Sequence, residues 1–159
     1  MTAQMSATFQ VEESAVINAR PEALHAIVAD YRVGHPAILP KPEFTGLTVE
    51  TGGFGAGTVV WAVSKIWGRE YRFHQRVSEP EPGRVLKETD IDTGQYTTFT
   101  FEPVSGGSQT RVTISSVFPA RPGIAGWLEK IIQSRIAHRL YQKELRNIAD
   151  YAARGGAVN

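Results

Sequence analysis

The sequence contains no cysteine. Disulfide bridges, thiolate metal sites and a cysteine nucleophile are therefore excluded. No apolar run approaches the ~18 residues that a membrane-spanning helix needs. An excess of charge of one sign is missing too: 17 Lys and Arg face 16 Asp and Glu, a formal net charge of +1. Bulk electrostatics thus give no basis for binding nucleic acid, and none is expected as a partner. Met1 to Gln10 shows neither a basic start nor an apolar stretch, so no signal peptide is expected. A cysteine-free chain fits a reducing cytoplasm, the expected location.

Several catalytic signatures are also lacking. The four histidines, His25, His35, His74 and His138, show no metal-ligand spacing, so no metal is expected. No G-x-S-x-G elbow is present, which argues against serine acyl hydrolysis. The glycine-rich stretch Gly52 to Gly57 lacks the Lys-Ser/Thr of a phosphate-binding loop and precedes a strand. It reads as a hairpin loop, with the alternative of a mobile element at a cavity mouth. No strand–glycine–helix unit supports a dinucleotide site, and no cofactor is expected.

What is present is ordered along the chain. A length of 159 residues favours one domain with a substantial core, here about residues 8–153. Phe9 to Ile17 alternates as a strand, and Glu12 and Glu13 mark a bulge or a sheet edge. Pro21 and Glu22 open a short helix that carries Leu24, Ile27, Val28 and Tyr31 at helical spacing. A second helical turn spans Val33 to Leu39 before Pro40 and Pro42. Strands then follow over Phe44–Thr51, Thr58–Trp67, Arg69–Ser78, Arg84–Ile91, Tyr96–Pro103 and Thr110–Phe118. In the fourth strand, Tyr71, Phe73 and Val77 share one face, with Arg72, His74 and Arg76 opposite. From Pro122 to Arg154 one amphipathic helix is expected. Its apolar stripe runs from Ile124, Trp127, Leu128 and Ile131 through Ile136 and Leu140 to Leu145, Ile148 and Tyr151. The basic residues opposite, offset by Glu129, Glu144 and Asp150, read as a solvated face rather than a membrane patch.

A lone long helix after a run of antiparallel strands must lie across the sheet to bury its stripe. The order strand, two short helices, six strands, long helix resembles the helix-grip fold of the START-like, or SRPBCC, superfamily. Within it, the chain resembles the polyketide cyclase/dehydrase and lipid-transport family. The likeness rests on Ser14 to Glu22, Gly57-Thr58-Val59, Glu81 to Leu86, Thr110 to Ile114 and the terminal helix. It implies an α+β fold in which a bent seven-stranded antiparallel sheet wraps the last helix. It also implies a cavity for a hydrophobic small molecule, opening near the short helices and the glycine loop. Such folds carry many different functions, so the reaction does not follow from the fold.

In that setting the candidate ligand contacts are Tyr31, Trp61, Tyr71, Phe73, Phe99, Phe101, Trp127 and Ile131. The aromatic set among them reads equally well, residue by residue, as plain core. Lys87 and Glu88 face opposite sides of their strand, so one of the two turns inward if the strand lies over the cavity. The alternation does not say which. Tyr71, Glu88 and His35 are the candidate proton carriers if the protein is an enzyme of the cyclase or dehydrase kind. Two other readings stand beside that one: a carrier of lipid, polyketide or isoprenoid, and a protein-interaction module. The oligomeric state is left open.

Overall fold

The computed structural model describes residues 7–155. Strand β1 (Thr8–Ile17) is followed by helices α1 (Pro21–Ala29) and α2 (Gly34–Ile38). Strands β2 (Phe44–Thr51), β3 (Val59–Ile66), β4 (Arg69–Glu81), β5 (Val85–Asp90), β6 (Tyr96–Val104) and β7 (Gln109–Pro119) come next. The long helix α3 (Gly123–Ala153) closes the chain. All strands join one antiparallel sheet in the order β1-β7-β6-β5-β4-β3-β2. This is the helix-grip arrangement. The two short helices bridge the sheet's two edges, and α3 packs against β1, α1 and α2.

Local sequence explains the elements. Pro21 at the start of α1 loses no helical hydrogen bond. The helix stops at Asp30, whose carboxylate accepts the backbone N–H groups of Arg32 and Val33. That turn launches α2 almost in contact with α1. A Cβ on Gly34 would lie 2.3 Å from the backbone oxygen of Ile27, so only glycine fits. β1 is an edge strand in unbroken register with β7, from Thr8 opposite Pro119 to Ile17 opposite Thr110, with no bulge. The β3–β4 hairpin turns in two residues, Trp67 and Gly68, both with positive φ. Such a tight turn requires that geometry, and glycine or asparagine is its usual occupant. Tryptophan there is forced to point outward.

The core lies at one end of the grip. Leu24, Val28, Ile38, Leu86, Phe101 and Ile148 are fully buried together. Each such side chain contributes about 1.5–3 kcal/mol by leaving water. Polar ties hold α3 over this end: Asn147 donates to the Ile38 carbonyl at 3.0 Å, and Lys143 pairs with Glu43 at 3.0 Å.

The expected stripe of α3 is buried only in its second half. Leu145, Ile148 and Tyr151 are in the core, whereas Ile124, Trp127 and Leu128 are exposed. The sheet side of the first half is occupied instead by Glu129, Gln133, Ile136, Ala137 and Leu140, which roof a cavity. Ile132 borders the same cavity, and Ile131 is half-buried outside it. The glycine loop is the expected hairpin loop, joining β2 and β3, but the alternative reading of it does not hold. It is not a mouth element but is pinned to the end of α1, with Tyr31 N–H bonding to the Gly53 oxygen and Gly55 N–H to the Ala29 oxygen, each at 2.9 Å. Glu79 adds a hydrogen bond from the Ala56 N–H.

Gly34→Ala is expected to lower stability by about 1–3 kcal/mol, because the close α1–α2 approach must open. A urea titration checks this, the midpoint falling with the slope unchanged.

Candidate functional site

A cavity of about 560 Å³ lies between the sheet and the first half of α3. Its volume falls within the ~300–1,000 Å³ typical of small-molecule sites. Much of the wall is apolar, including Leu39, Leu47, Phe73, Phe99, Ile136 and Leu140. The mouth is flanked by Trp67 and Tyr71 of the β3–β4 hairpin and by Ile132 of α3. It therefore opens at the end of the molecule away from the glycine loop, which contributes nothing to the lining.

Polar groups gather deeper in. Alternation along β5 buries Leu86, Glu88 and Asp90 and turns Lys87 outward. The Lys87 ammonium rests over the Tyr96 ring at 4.1 Å. Inside, Glu88 Oε1 accepts the Tyr31 hydroxyl at 2.6 Å and lies 3.4 Å from His35 Nε2. The His35 ring is stacked on Tyr31, centroids 4.4 Å apart, and stands edge-on to Phe99. Its Nδ1 lies 2.7 Å from the Val28 carbonyl oxygen. That oxygen can only accept, so Nδ1 carries a proton. Nε2 and the Glu88 oxygen then face each other favourably only with a proton between them. Burial, reinforced by the Glu88 carboxylate, raises the Tyr31 hydroxyl pKa well above its ordinary value and keeps it a donor.

A second carboxyl, Glu144 of α3, enters the cavity from the opposite wall. It is buried, and its Oε1 has no hydrogen-bond partner among the described residues. Burial first, and then the nearby Glu88 charge, raise its pKa well above 4.5. Glu144 is thereby held toward its neutral form, able to donate a proton or a hydrogen bond. Ser64 Oγ, on the β3 wall, is likewise buried and unpartnered among the described residues. Tyr141 hydrogen-bonds to Ser116, which also bonds to Thr97. Burial pushes the Tyr141 pKa up to about 12. No three His, Asp or Glu side chains among the described residues are grouped to hold a metal ion.

The sequence candidates are distributed as follows. Tyr71, Phe73, Phe99, Glu88 and His35 line the cavity. Tyr31 sits behind it, bonded to Glu88. Trp61 is on the outer face, stacked on His74 at 4.0 Å, because its neighbours Ala62 and Ser64 set the inward parity of β3. Phe101 is buried beyond the closed end, edge-on to His25. Trp127 is exposed on α3, and Ile131 is not part of the lining. Glu144, Ser64, Tyr141 and Trp67 were not singled out from sequence. The spacing Leu140, Glu144, Ile148 could have marked Glu144, since a carboxyl at i+4 between two stripe residues must share their face.

Residues 8–153 match the family described as polyketide cyclase / dehydrase and lipid transport. The chain belongs to that family. No curated protein sequence matches it. Among solved structures, the KanY protein is similar at 24% identity with a TM-score of 0.78, over 91% of this chain and 97% of that one. The ZhuI aromatase/cyclase from Streptomyces sp. R1128 is similar at 15% identity and 0.76, over 96% and 98%. A START superfamily protein from Mycobacterium smegmatis gives 17% and 0.69, over 91% and 97%. At these identities the likeness supports the fold alone. What this member of the polyketide cyclase / dehydrase and lipid transport family does with its cavity rests on its own residues.

The raised Glu144 pKa has a definite sign. The folded protein holds a proton there that the unfolded chain releases near pH 4.5. Stability from this group is therefore full below pH 4.5 and falls as pH rises through the folded pKa. Glu144→Gln is expected to remove that decline. Chemical denaturation of both proteins across a pH series above 4.5 reads the difference.

Proposed function

We propose that the protein binds a hydrophobic small molecule that carries oxygen functions, seated in the cavity with those functions at the polar end. The observation that carries this reading is the pair of unpartnered buried atoms, Ser64 Oγ and Glu144 Oε1, in an otherwise largely apolar wall. A buried polar atom without a partner costs about 1–3 kcal/mol. Two carbonyl or hydroxyl oxygens on a ligand would offset that cost and fix its orientation. Phe73, Phe99 and Tyr71 supply the apolar contact, at ~25 cal/mol per Å² removed from water. Polyketides, isoprenoids and oxygenated lipids meet this description. A reducing, cytoplasmic setting belongs to the same proposal.

Native mass spectrometry tests it: a mass that disappears on denaturation is expected. Ala62→Trp, which fills the cavity from β3, is expected to abolish that mass and to weaken binding of a fluorescent apolar probe at least about tenfold, near 1.4 kcal/mol. Unchanged probe binding in a folded Ala62→Trp protein would sink the proposal.

A second reading, cyclase or dehydrase chemistry, is favoured by one arrangement. The hydrogen-bonded Tyr31–Glu88 pair, with His35 beside it, stands on one wall, and Glu144, pushed toward its neutral form, stands on the other. Together they could remove a proton α to a carbonyl while protonating an oxygen that leaves as water. Holding a flexible poly-ketone in one shape would supply further acceleration. Under this reading, Glu88→Gln lowers the turnover of a poly-ketone substrate about 10²-fold or more while leaving its binding intact. A pre-steady-state assay separates the two effects. Binding without turnover in the wild-type protein would leave the carrier reading alone.

A further inference from the structure

The first half of α3 shows an apolar face that no other described residue covers. Ile124 is 85% exposed, Trp127 62% and Leu128 52%. Ile132, one turn on, is exposed as well and belongs to the cavity mouth. Facing it across that mouth is Trp67, 82% exposed at the tip of the β3–β4 hairpin. Its positive φ of 52° is unfavourable for a bulky side chain. A strained backbone that holds an indole out in solvent points to a use for the indole.

Outside two ion pairs, the charges around this rim are positive. The same outward face of α3 continues into Arg135 and Arg139, both exposed, at helical spacing from Leu128 and Ile132. Lys65 and Arg69 flank Trp67. The two rim carboxylates are already engaged: Glu70 with Arg72 at 3.0 Å, and Glu129 with Arg121 at 3.8 Å. Lys65, Arg69, Arg135 and Arg139 thus give this end a local positive charge in a chain whose net charge is only +1. Among the described residues, no helix is long and apolar enough to cross a membrane. Exposed indoles beside aliphatic side chains, ringed by Arg and Lys, match the boundary between lipid headgroups and acyl chains.

We propose that this end of the molecule docks on the surface of an anionic lipid bilayer, with Trp67, Ile124, Trp127 and Leu128 entering the headgroup layer and the cavity mouth facing the lipid. A ligand dissolved in the bilayer then enters the cavity without crossing water. This placement deepens the hydrophobic-ligand reading, but its test is independent of whether any ligand is bound.

Flotation of the full chain with phosphatidylcholine vesicles, with and without phosphatidylglycerol, is the experiment. The chain is expected to float with the anionic vesicles, to shift its tryptophan emission to the blue and to be released by salt. Ile124→Ser/Trp127→Ser is expected to lose flotation while keeping its cavity mass in native mass spectrometry. Trp67→Asn is expected to lose flotation with a melting temperature no lower than wild type, since asparagine suits the turn. Arg135→Glu/Arg139→Glu is expected to cut partitioning at least about tenfold. Wild-type protein that stays unbound with both vesicle types, or variants that float as wild type does, would overturn the docking proposal and leave ligand binding standing. A concentration-dependent dimer that Ile124→Ser/Trp127→Ser dissolves, with no flotation, would assign the face to a second copy instead. Loss of the cavity mass with flotation intact would count against the ligand reading alone.

Discussion

Two carboxyl groups line one largely apolar cavity, and burial first, then the nearness of the two, sets how each is accommodated. Charging both would place like charges in an apolar wall, where each already loses its hydration. The fold resolves the conflict asymmetrically. Glu88 is given partners: the Tyr31 hydroxyl, the His35 ring and, through that ring, a backbone carbonyl. Glu144 finds none for Oε1 among the described residues and is pushed toward its neutral form. One carboxyl is thus equipped to accept and the other to donate, and the difference comes from neighbours rather than residue type.

The partners of Glu88 explain why α1 and α2 meet so closely. Tyr31 and His35 come from the elbow between the two helices, and they stack on each other only because Gly34 lets the backbones touch. The Asp30 turn and the pinned glycine loop hold that elbow from outside. Packing at the closed end and polar order in the cavity are therefore one construction. Loosening the elbow would move a proton-bearing ring as well as a hydrophobic contact.

Much of this was legible in the chain. Element order, strand alternation and the closing helix pointed to the sheet that is seen, because each signal is local. Other features depend on long-range docking. Alternation showed that either Lys87 or Glu88 turns inward; only the pairing of β5 with β4, Val77 opposite Glu88, selects the carboxyl. The parity of Trp61 was hidden for the same reason, since an aromatic residue suits either side of a strand. Helical spacing placed Ile124, Trp127 and Leu128 in one stripe with Ile148. It could not show that the first half of α3 turns Glu129, Gln133, Ile136, Ala137 and Leu140 toward the sheet in their place. Glu144 was overlooked because it was counted as surface charge, although its spacing from Leu140 and Ile148 places it on the inner face.

The pinned glycine loop has a consequence for how this protein can change over generations. At that end nearly every group is committed: loop amides to α1, Glu79 to two loops and to His25, the elbow to the polar cluster. Substitutions there are penalised twice, in stability and in site geometry. At the hairpin end, residues such as Trp67, Tyr71 and Ile132 border the cavity yet contribute little to the core, so exchanging them costs little stability. Under the proposed binding role, ligand preference is free to drift at the mouth while the polar end stays fixed.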